Sequence, residues 1–64
     1  MSQTKISLAA ARVNKELSQI EAAALIGVHQ QTLRNWESGR VKPSIEKLKK
    51  VCEVYGISQD SINI

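Results

Sequence analysis

Residues 18–38 read SQIEAAALIGVHQQTLRNWES, and this stretch contains the signals for two short helices joined by a tight turn. Ser18 and Glu21 form a capping box, in which the serine hydroxyl and the glutamate carboxylate each satisfy a backbone N–H at the start of a helix. Gly27 suits the left-handed conformation in which many helices end. The first helix of the pair is therefore predicted to run to about Ile26.

The second helix of the pair is predicted from about Gln30 to Ser38, with Gly39 at its end. At about 100° per residue, its polar side chains fall within an arc of about 140°, whereas Leu33 and Trp36 lie on the opposite side. The residues of the polar arc are Gln30, Gln31, Arg34, Asn35 and Ser38. Such a helix is expected to pack on a core through its leucine and tryptophan and to present amides and a cation outward.

The rest of the chain reads as further helices. Ser7 is placed to cap a helix over about residues 8–15, and Ser44 to cap another that ends at Gly56. A last short turn is predicted over residues 58–63. The sequence therefore predicts an all-α fold, a compact bundle of four helices plus a short fifth with a helix-turn-helix at its centre.

Apolar residues recur at spacings of three and four, which is the helical period. The core is predicted to include Leu8, Ala11, Ala22, Ala23, Ile26, Leu33, Trp36, Ile45, Leu48, Val51, Cys52, Tyr55, Ile57 and Ile62. The 64 residues fit a single domain over 1–64, in which residues 1–6 are expected to be flexible. A chain of this size buries only about 60% of the surface that its unfolded form exposes, so the core is expected to be thin.

The composition excludes several classes of protein. No apolar run approaches the ~20 residues that a membrane-spanning helix needs. The N-terminal residues lack the basic-then-apolar layout of a secretory signal, so a cytoplasmic location is expected. Cys52 is the only cysteine, and its apolar spacing predicts a buried hydrophobe rather than a reactive thiol. With one His, one Cys and no positioned carboxylate, we expect no enzyme activity, no cofactor and no metal site.

Basic residues are concentrated in one part of the chain. Residues 34–50 contain six Lys and Arg against two Glu, whereas the remainder contains three basic residues against four acidic ones. A positive region of this kind suggests a polyanionic partner. An ordinary solvated surface has the same pattern, so charge alone leaves both interpretations open. For Lys47, Lys49 and Lys50, on the outer side of the predicted fourth helix, a solvated face is the preferred interpretation.

The polar arc of the second helix in the pair has the chemistry needed to read DNA. An α-helix fits the major groove of duplex DNA, where each base pair presents a distinct pattern of donors and acceptors. The amides of Gln and Asn can match N6 and N7 of adenine, and Arg can match O6 and N7 of guanine. These pairings predict base reading by Gln30, Gln31, Arg34 and Asn35. The alternative is a polar helix face that is merely solvated.

A set of residues at defined spacings resembles the Cro and phage-repressor (XRE-like) type of helix-turn-helix regulators. The matching residues are Arg12, Leu17-Ser18-Gln19, Ala23, Gly27-Val28, Trp36-Glu37-Ser38-Gly39, Pro43 and the pattern Leu48…Tyr55-Gly56-Ile57-Ser58. The resemblance extends from about residue 8 to 62 and implies a lambda-repressor-like DNA-binding fold. It also implies a sequence-specific transcriptional regulator, a phage- or prophage-type repressor acting in a bacterial or phage-infected cell.

The resemblance implies roles for individual positions. Gln19 is similar to the family residue that holds a DNA phosphate at the start of the second helix. Phosphate contacts are likewise expected of His29, Arg40 and Lys42. Arg34 could read a base or contact a phosphate, and both roles remain open.

Arg12 and Glu37 are expected to pair with each other rather than to contact DNA. Their counterparts in the family join the first helix to the end of the third. Removing one partner of a partly buried ion pair costs ~3–5 kcal/mol, mostly because the other charge is left without a partner.

The chain differs from the family pattern at a few positions. Ala11 and Ala22 stand where larger aliphatic residues are usual, and the space is expected to be filled by Leu25, by Trp36 or by a closer approach of the helices. His29 stands where Ser or Thr usually caps the recognition helix. These differences are expected to affect stability rather than function.

The resemblance also implies a partner. Family members usually dimerise so that two recognition helices lie roughly 34 Å apart on a pseudo-palindromic DNA site. A homodimer formed in solution or only on DNA is therefore expected, with contacts from Val54, Ile57, Ile62 and Ile64. No membrane and no small-molecule ligand are expected. The alternative function is a protein-interaction module of the same fold, such as an antitoxin, a coactivator or a repressor-docking partner.

Overall fold

A computed structural model describes residues 5–63, and within this range the chain is helical. The α-helices are α1 (Leu8–Asn14), α2 (Gln19–Ile26), α3 (Gln30–Glu37) and α4 (Ile45–Tyr55), followed by a 3-10 helix over Gln59–Ser61. The predicted all-α fold of four helices plus a short fifth is confirmed, and α1 and α3 each end one residue earlier than predicted. No helix within the described range is both long enough and apolar enough to cross a membrane.

Serine residues start three of the helices. The hydroxyl oxygens of Ser7, Ser18 and Ser44 accept backbone N–H groups three residues ahead, at 3.1, 3.0 and 3.3 Å. The capping box is complete, because the carboxylate of Glu21 accepts the backbone N–H of Ser18 at 2.9 Å. This hydrogen bond, with a smaller contribution from the Ser18 hydroxyl, lowers the pKa of Glu21. The helix starts are thus determined by local contacts that the sequence already indicates.

The end of α1 uses a residue other than glycine in the left-handed region. Glu16 has a φ of +59°. Its N–H donates to the carbonyl of Val13 at 2.9 Å, and the N–H of Leu17 donates to the carbonyl of Arg12 at 3.2 Å. This pattern of bonds closes a helix end, and a left-handed conformation at a residue with a Cβ costs roughly 1–2 kcal/mol.

The core lies where α2 meets α3 and α4. Its buried members are Leu8, Ala11, Ala22, Ala23, Ile26, Leu33, Trp36, Val51, Cys52, Tyr55 and Ile62. Leu48 and Ile57 are partly buried against them. The prediction is therefore confirmed for all of its core residues except Ile45, which is 71% exposed. Ile45 is the first residue of α4, and among the described residues its side chain is left largely open to solvent.

The small residues at Ala11 and Ala22 are enclosed in the core, although Leu25 does not contribute to covering them. Ala11 and Ala22 are 2% and 0% exposed, whereas Leu25 is 55% exposed. The suggestion that Leu25 fills the space beside them is wrong, because its side chain lies on the outer face of α2. Trp36, at 7% exposed, is in the core.

The two ends of the described chain are joined by backbone pairing. The N–H of Ile6 donates to the carbonyl of Ser61 at 2.9 Å, and the N–H of Asn63 donates to the carbonyl of Ile6 at 2.8 Å. Ile6 is therefore paired with the C-terminal end of the described chain, and the expectation of a flexible segment over residues 1–6 stays a prediction. The part of that expectation on residues 1–4 lies outside the described residues.

This pairing also changes the residues available for a dimer contact. Ile62 is only 4% exposed, so it belongs to the core and not to an outer surface. Val54 and Ile57 are partly buried against the core, and Ile64 lies outside the described residues. The C-terminal apolar surface expected from the sequence is thus reduced, because part of it stabilises the domain itself.

Candidate nucleic-acid interface

The turn between α2 and α3 sets the direction of α3. Gly27 has a φ of +90°, in the left-handed region that glycine adopts at no steric cost. The N–H groups of Gly27 and Val28 both donate to the carbonyl of Ala23, at 2.8 and 3.0 Å. Val28 packs against the core, and α3 begins after His29. The chain therefore changes direction between two helices within residues 27–29.

One face of α3 holds the helix on the domain. Leu33 is 0% exposed and Trp36 is 7% exposed, and both belong to the core. The spacing of Trp36 from Leu33 predicted a core residue, and this prediction is confirmed. The position of α3 is therefore determined by apolar packing on its inner side.

The opposite face of α3 brings together the residues predicted to read bases. Gln31 and Arg34 are exposed, and Gln30 and Asn35 are partly buried. The Nε2 of Gln31 donates to Oδ1 of Asn35 at 3.0 Å, and Nη1 of Arg34 donates to Oε1 of Gln31 at 3.4 Å. Three of the four side chains thus form a hydrogen-bonded row along the helix, which helical spacing permits but does not by itself predict.

The end of α3 directs the loop that follows it. The N–H of Gly39 donates to the carbonyl of Trp36 at 3.2 Å, and the N–H of Arg40 donates to the carbonyl of Asn35 at 3.0 Å. Gly39 has a φ of +80°, as this pattern of helix termination requires. Arg40 is therefore held next to the last turn of α3, and both Arg40 and Lys42 are exposed.

The start of α3 has no side-chain cap. His29 is the cap residue and its carbonyl accepts the N–H of Leu33 at 3.2 Å, yet its imidazole makes no capping hydrogen bond. The imidazole is exposed to solvent. Ser or Thr at this position would accept a backbone N–H with its hydroxyl, whereas His29 provides no side-chain acceptor for the first N–H groups of α3.

Arg12, Glu37 and Gln19 form a cluster that joins α1, α2 and the end of α3. The Nε of Arg12 lies 2.7 Å from Oε2 of Glu37, and Oε1 of Glu37 accepts from Nη2 of Arg12 at 3.3 Å and from Nε2 of Gln19 at 2.9 Å. The side chains of Arg12 and Glu37 are 15% and 8% exposed. The hydrogen bond from Arg12 to Glu37 raises the pKa of Arg12, so its guanidinium is charged throughout the accessible pH range.

The chain matches a known protein family over most of its length. A family model described as helix-turn-helix matches residues 8–60, a range that includes the turn at Gly27 and the whole of α3. The chain belongs to the helix-turn-helix family. It is of the Cro and lambda-repressor type, which consists of DNA-binding regulators. No curated protein matches the chain significantly.

The charges around α3 of this helix-turn-helix domain are mostly positive. Arg34 on the helix and Arg40 and Lys42 after it are exposed. Glu37 is the only acidic residue within α3, and its charge is matched by Arg12 at 2.7 Å. The outer side of α3 and the loop after it therefore carry exposed positive charges, and the only carboxylate of α3 is already paired. This arrangement attracts a polyanion.

Two further observations on the helix-turn-helix domain concern metal ligands and the thiol of Cys52. Within the described residues, no group of three or more His, Cys, Asp or Glu side chains could hold a metal ion. Cys52 is 7% exposed, and burial raises the pKa of its thiol. The interpretation of Cys52 as a buried hydrophobe is confirmed, because the thiolate that would make it reactive is disfavoured.

Tyr55 provides a test of the core through its titration. It is 3% exposed, and its hydroxyl is buried without a hydrogen-bond partner among the described residues. Burial, with a smaller contribution from the negative charge of Glu37, raises the pKa of Tyr55 to about 12. The ordinary value is about 10, so only the unfolded state ionises between about pH 10 and pH 12. The free energy of unfolding is expected to be unaffected by Tyr55 below this window and to fall by about 2–3 kcal/mol across it.

Tyr55 is the only tyrosine of the chain, so the absorbance of tyrosinate measures its ionisation directly. The matched variant is Tyr55→Phe, which keeps the ring and removes the ionising group. This variant should retain only the alkaline destabilisation that other groups cause, and at neutral pH it should be at least as stable as the unmodified chain, since an unsatisfied hydroxyl is removed. A tyrosinate midpoint near the ordinary value would contradict the burial of this hydroxyl.

Proposed function

We propose that this chain is a sequence-specific regulator of transcription that binds double-stranded DNA by inserting α3 into the major groove. The observation that best supports this is the division of α3 into two faces. Leu33 and Trp36 are buried on one side, and Gln31 and Arg34 are exposed on the other. This division presents amide and guanidinium groups, which are complementary to base edges, on an element that fits the groove.

The proposal assigns two kinds of contact. Base edges are read by Gln30, Gln31, Arg34 and Asn35, and phosphates are held by Gln19, His29, Arg40 and Lys42. Gln19 is the first residue of α2, where the helix dipole favours an anion. Its Nε2 donates one N–H to Glu37 and keeps a second N–H for a phosphate oxygen. The phosphate contacts supply affinity that is independent of sequence and decreases with salt, and the base contacts supply specificity.

The proposed DNA site is pseudo-palindromic. One domain spans about half of such a site, so two copies would bind with their α3 helices roughly 34 Å apart. We infer a homodimer, formed in solution or on DNA, and a phage- or prophage-type repressor that acts by blocking access of RNA polymerase. Such a regulator would act in the cytoplasm of a bacterial or phage-infected cell.

Selection of binding sites from a randomised duplex pool tests this function. An inverted repeat is expected to be enriched, because two symmetric copies read the same half-site. A pool that stays unenriched at low salt would contradict sequence-specific reading.

Gln31→Ala is expected to reduce discrimination between the selected site and random DNA by about 1–3 kcal/mol, because it removes an amide that faces the bases. The matched control is Gln59→Ala, which truncates an exposed glutamine in the 3-10 helix and should leave discrimination unchanged. Competition of the labelled site with unlabelled random duplex measures the difference. Equal discrimination by Gln31→Ala and the unmodified chain would remove Gln31 from the reading face.

The second candidate function is a protein-interaction module such as an antitoxin, a coactivator or a repressor-docking partner. The observation that favours it is the exposure of large apolar side chains on α2, where Ile20 is 66% and Leu25 is 55% exposed. Large apolar side chains that are left in solvent could be covered by a protein partner. An unenriched DNA pool would favour this candidate.

A further inference from the structure

Building on the proposed function, we propose that Arg34 reads a guanine in each half-site and that Gln31, in addition to its own base contact, is a positioning residue that orients the guanidinium of Arg34. The sequence leaves Arg34 between a base and a phosphate contact. The hydrogen bond from Arg34 to Gln31 favours the base, because it holds the guanidinium against the polar face of α3 that would enter the groove. The direction of the hydrogen bonds along this face also determines which groups are left for the DNA.

The donor-to-acceptor direction of these hydrogen bonds is set by Arg34. A guanidinium has N–H donors and no acceptor. Since Nη1 of Arg34 lies 3.4 Å from the amide of Gln31, the atom that faces it must be the oxygen Oε1. The reversed amide would place two donors against each other.

The orientation of Gln31 then determines that of Asn35. With Oε1 towards Arg34, the Nε2 of Gln31 faces Asn35 and requires an acceptor there, which is Oδ1 at 3.0 Å. The Nδ2 of Asn35, at the end of this row, is left for an external acceptor. The row therefore runs from Arg34 through Gln31 to Asn35 in one direction only.

The groups that remain are mainly donors. Arg34 uses one of its N–H groups within the row, Gln31 uses one of two, and each amide oxygen already accepts one hydrogen bond. In the major groove, guanine presents two adjacent acceptors, O6 and N7, whereas adenine presents an acceptor beside a donor. A donor-rich row with a planar guanidinium is therefore complementary to guanine.

The surroundings of Arg34 leave it free for this contact. The only carboxylate within α3 is that of Glu37, and it is occupied by Arg12 and Gln19 at 2.7 and 2.9 Å. Arg34 is exposed, so its remaining donors are accessible to a base. Gln31 keeps the guanidinium along the helix surface and thereby reduces the ordering that binding requires.

The test compares arginine variants on the site selected from the randomised pool. Arg34→Ala should lose the preference for one guanine per half-site by about tenfold or more. Arg34→Lys keeps the charge without the planar fork, so it should lose this preference while keeping the salt dependence of binding. Arg40→Ala is the matched control, because loss of a phosphate contact should weaken binding to the selected site and to random DNA alike.

A second experiment removes the acceptor on the guanine instead of the donor on Arg34. Replacing the guanine by 7-deazaguanine, which lacks N7, should weaken binding of the unmodified chain and leave binding of Arg34→Ala unaffected. Gln31→Ala should weaken the same preference, and the Gln31→Ala/Arg34→Ala pair should lose less than the product of the two single losses, because one residue acts through the other.

The outcomes separate this inference from the function on which it rests. A pool with no enriched sequence overturns the proposed function and this inference together. An enriched site that is unchanged for Arg34→Ala, with a salt slope reduced by about one, places Arg34 on a phosphate and overturns only the inference. An enriched adenine at the position sensitive to Arg34 overturns it as well, and independent losses in the double variant overturn the positioning role of Gln31.

Discussion

Glu37→Ala is expected to lower the free energy of unfolding by about 3–5 kcal/mol, the largest effect of any single substitution outside the apolar core. The carboxylate of Glu37 accepts from Arg12 at 2.7 Å and from Gln19 at 2.9 Å, and it is 8% exposed. Its removal leaves the Arg12 guanidinium, whose side chain is 15% exposed, without its counter-charge. The cost arises mainly from this unpaired charge and less from the loss of the attraction itself.

A domain of this size has a total stability of only about 3–10 kcal/mol, so Glu37→Ala could abolish folding. Glu37→Gln keeps the volume and one acceptor and provides a milder second variant. Urea denaturation should rank the unmodified chain above Glu37→Gln, and Glu37→Gln above Glu37→Ala. The matched control is Glu53→Ala, which truncates an exposed glutamate in α4 and should change stability by no more than about 0.5 kcal/mol.

A double-mutant cycle shows whether the effect of Glu37 passes through Arg12. Combining Glu37→Ala with Arg12→Met removes both charges. The loss in the free energy of unfolding of the double variant should therefore be smaller than the sum of the losses of the two single variants. Losses that simply add, or a Glu37→Ala variant as stable as Glu53→Ala, would show that the pair does not join α1 to α3.

Leu33→Ala is expected to destabilise the domain by about 3 kcal/mol, within the range of 2–5 kcal/mol for removing a buried leucine side chain. Leu33 is 0% exposed and lies on the inner face of α3, so the truncation leaves a cavity that the surrounding core fills only in part. Thermal and urea denaturation measure the loss.

The control for Leu33→Ala is the same substitution in the neighbouring helix. Leu25 is 55% exposed, and Leu25→Ala should cost no more than about 0.5 kcal/mol. Because Leu33 holds α3 on the domain, folded Leu33→Ala should also bind DNA less tightly, whereas Leu25→Ala should bind as the unmodified chain does. Equal stability of the two variants would contradict the packing of α3.

Helix starts and ends were predictable because their causes are local. Ser18 and Glu21 satisfy each other's backbone groups within four residues, and Gly27 and Gly56 adopt the left-handed conformation at helix ends that their lack of a side chain permits. Such contacts depend on neighbours in the sequence, so the residue types alone indicate them. The observed bounds of α1 to α4 accordingly agree with the predicted ones to within one residue, whereas the 3-10 helix ends two residues earlier than predicted.

Burial was less predictable where it depends on a distant neighbour. Helical spacing places Ile45 on the apolar side of α4, yet its side chain is 71% exposed. Ile62, assigned from the sequence both to the core and to a dimer contact, is 4% exposed, and the chain near it pairs with Ile6 at the other end of the domain. Periodicity identifies the face on which a residue lies, but it contains no information on what packs against that face.

The same division applies to the candidate site. The residue types and the helical period are sufficient to place a polar face of amides and an arginine on α3, opposite Leu33 and Trp36. The hydrogen bond from Gln19 to the carboxylate of Glu37, 18 residues away, depends instead on the packing of α2 against α3, which residue spacing does not reveal. The row from Arg34 to Asn35 likewise depends on side-chain conformations, which residue spacing permits but does not select.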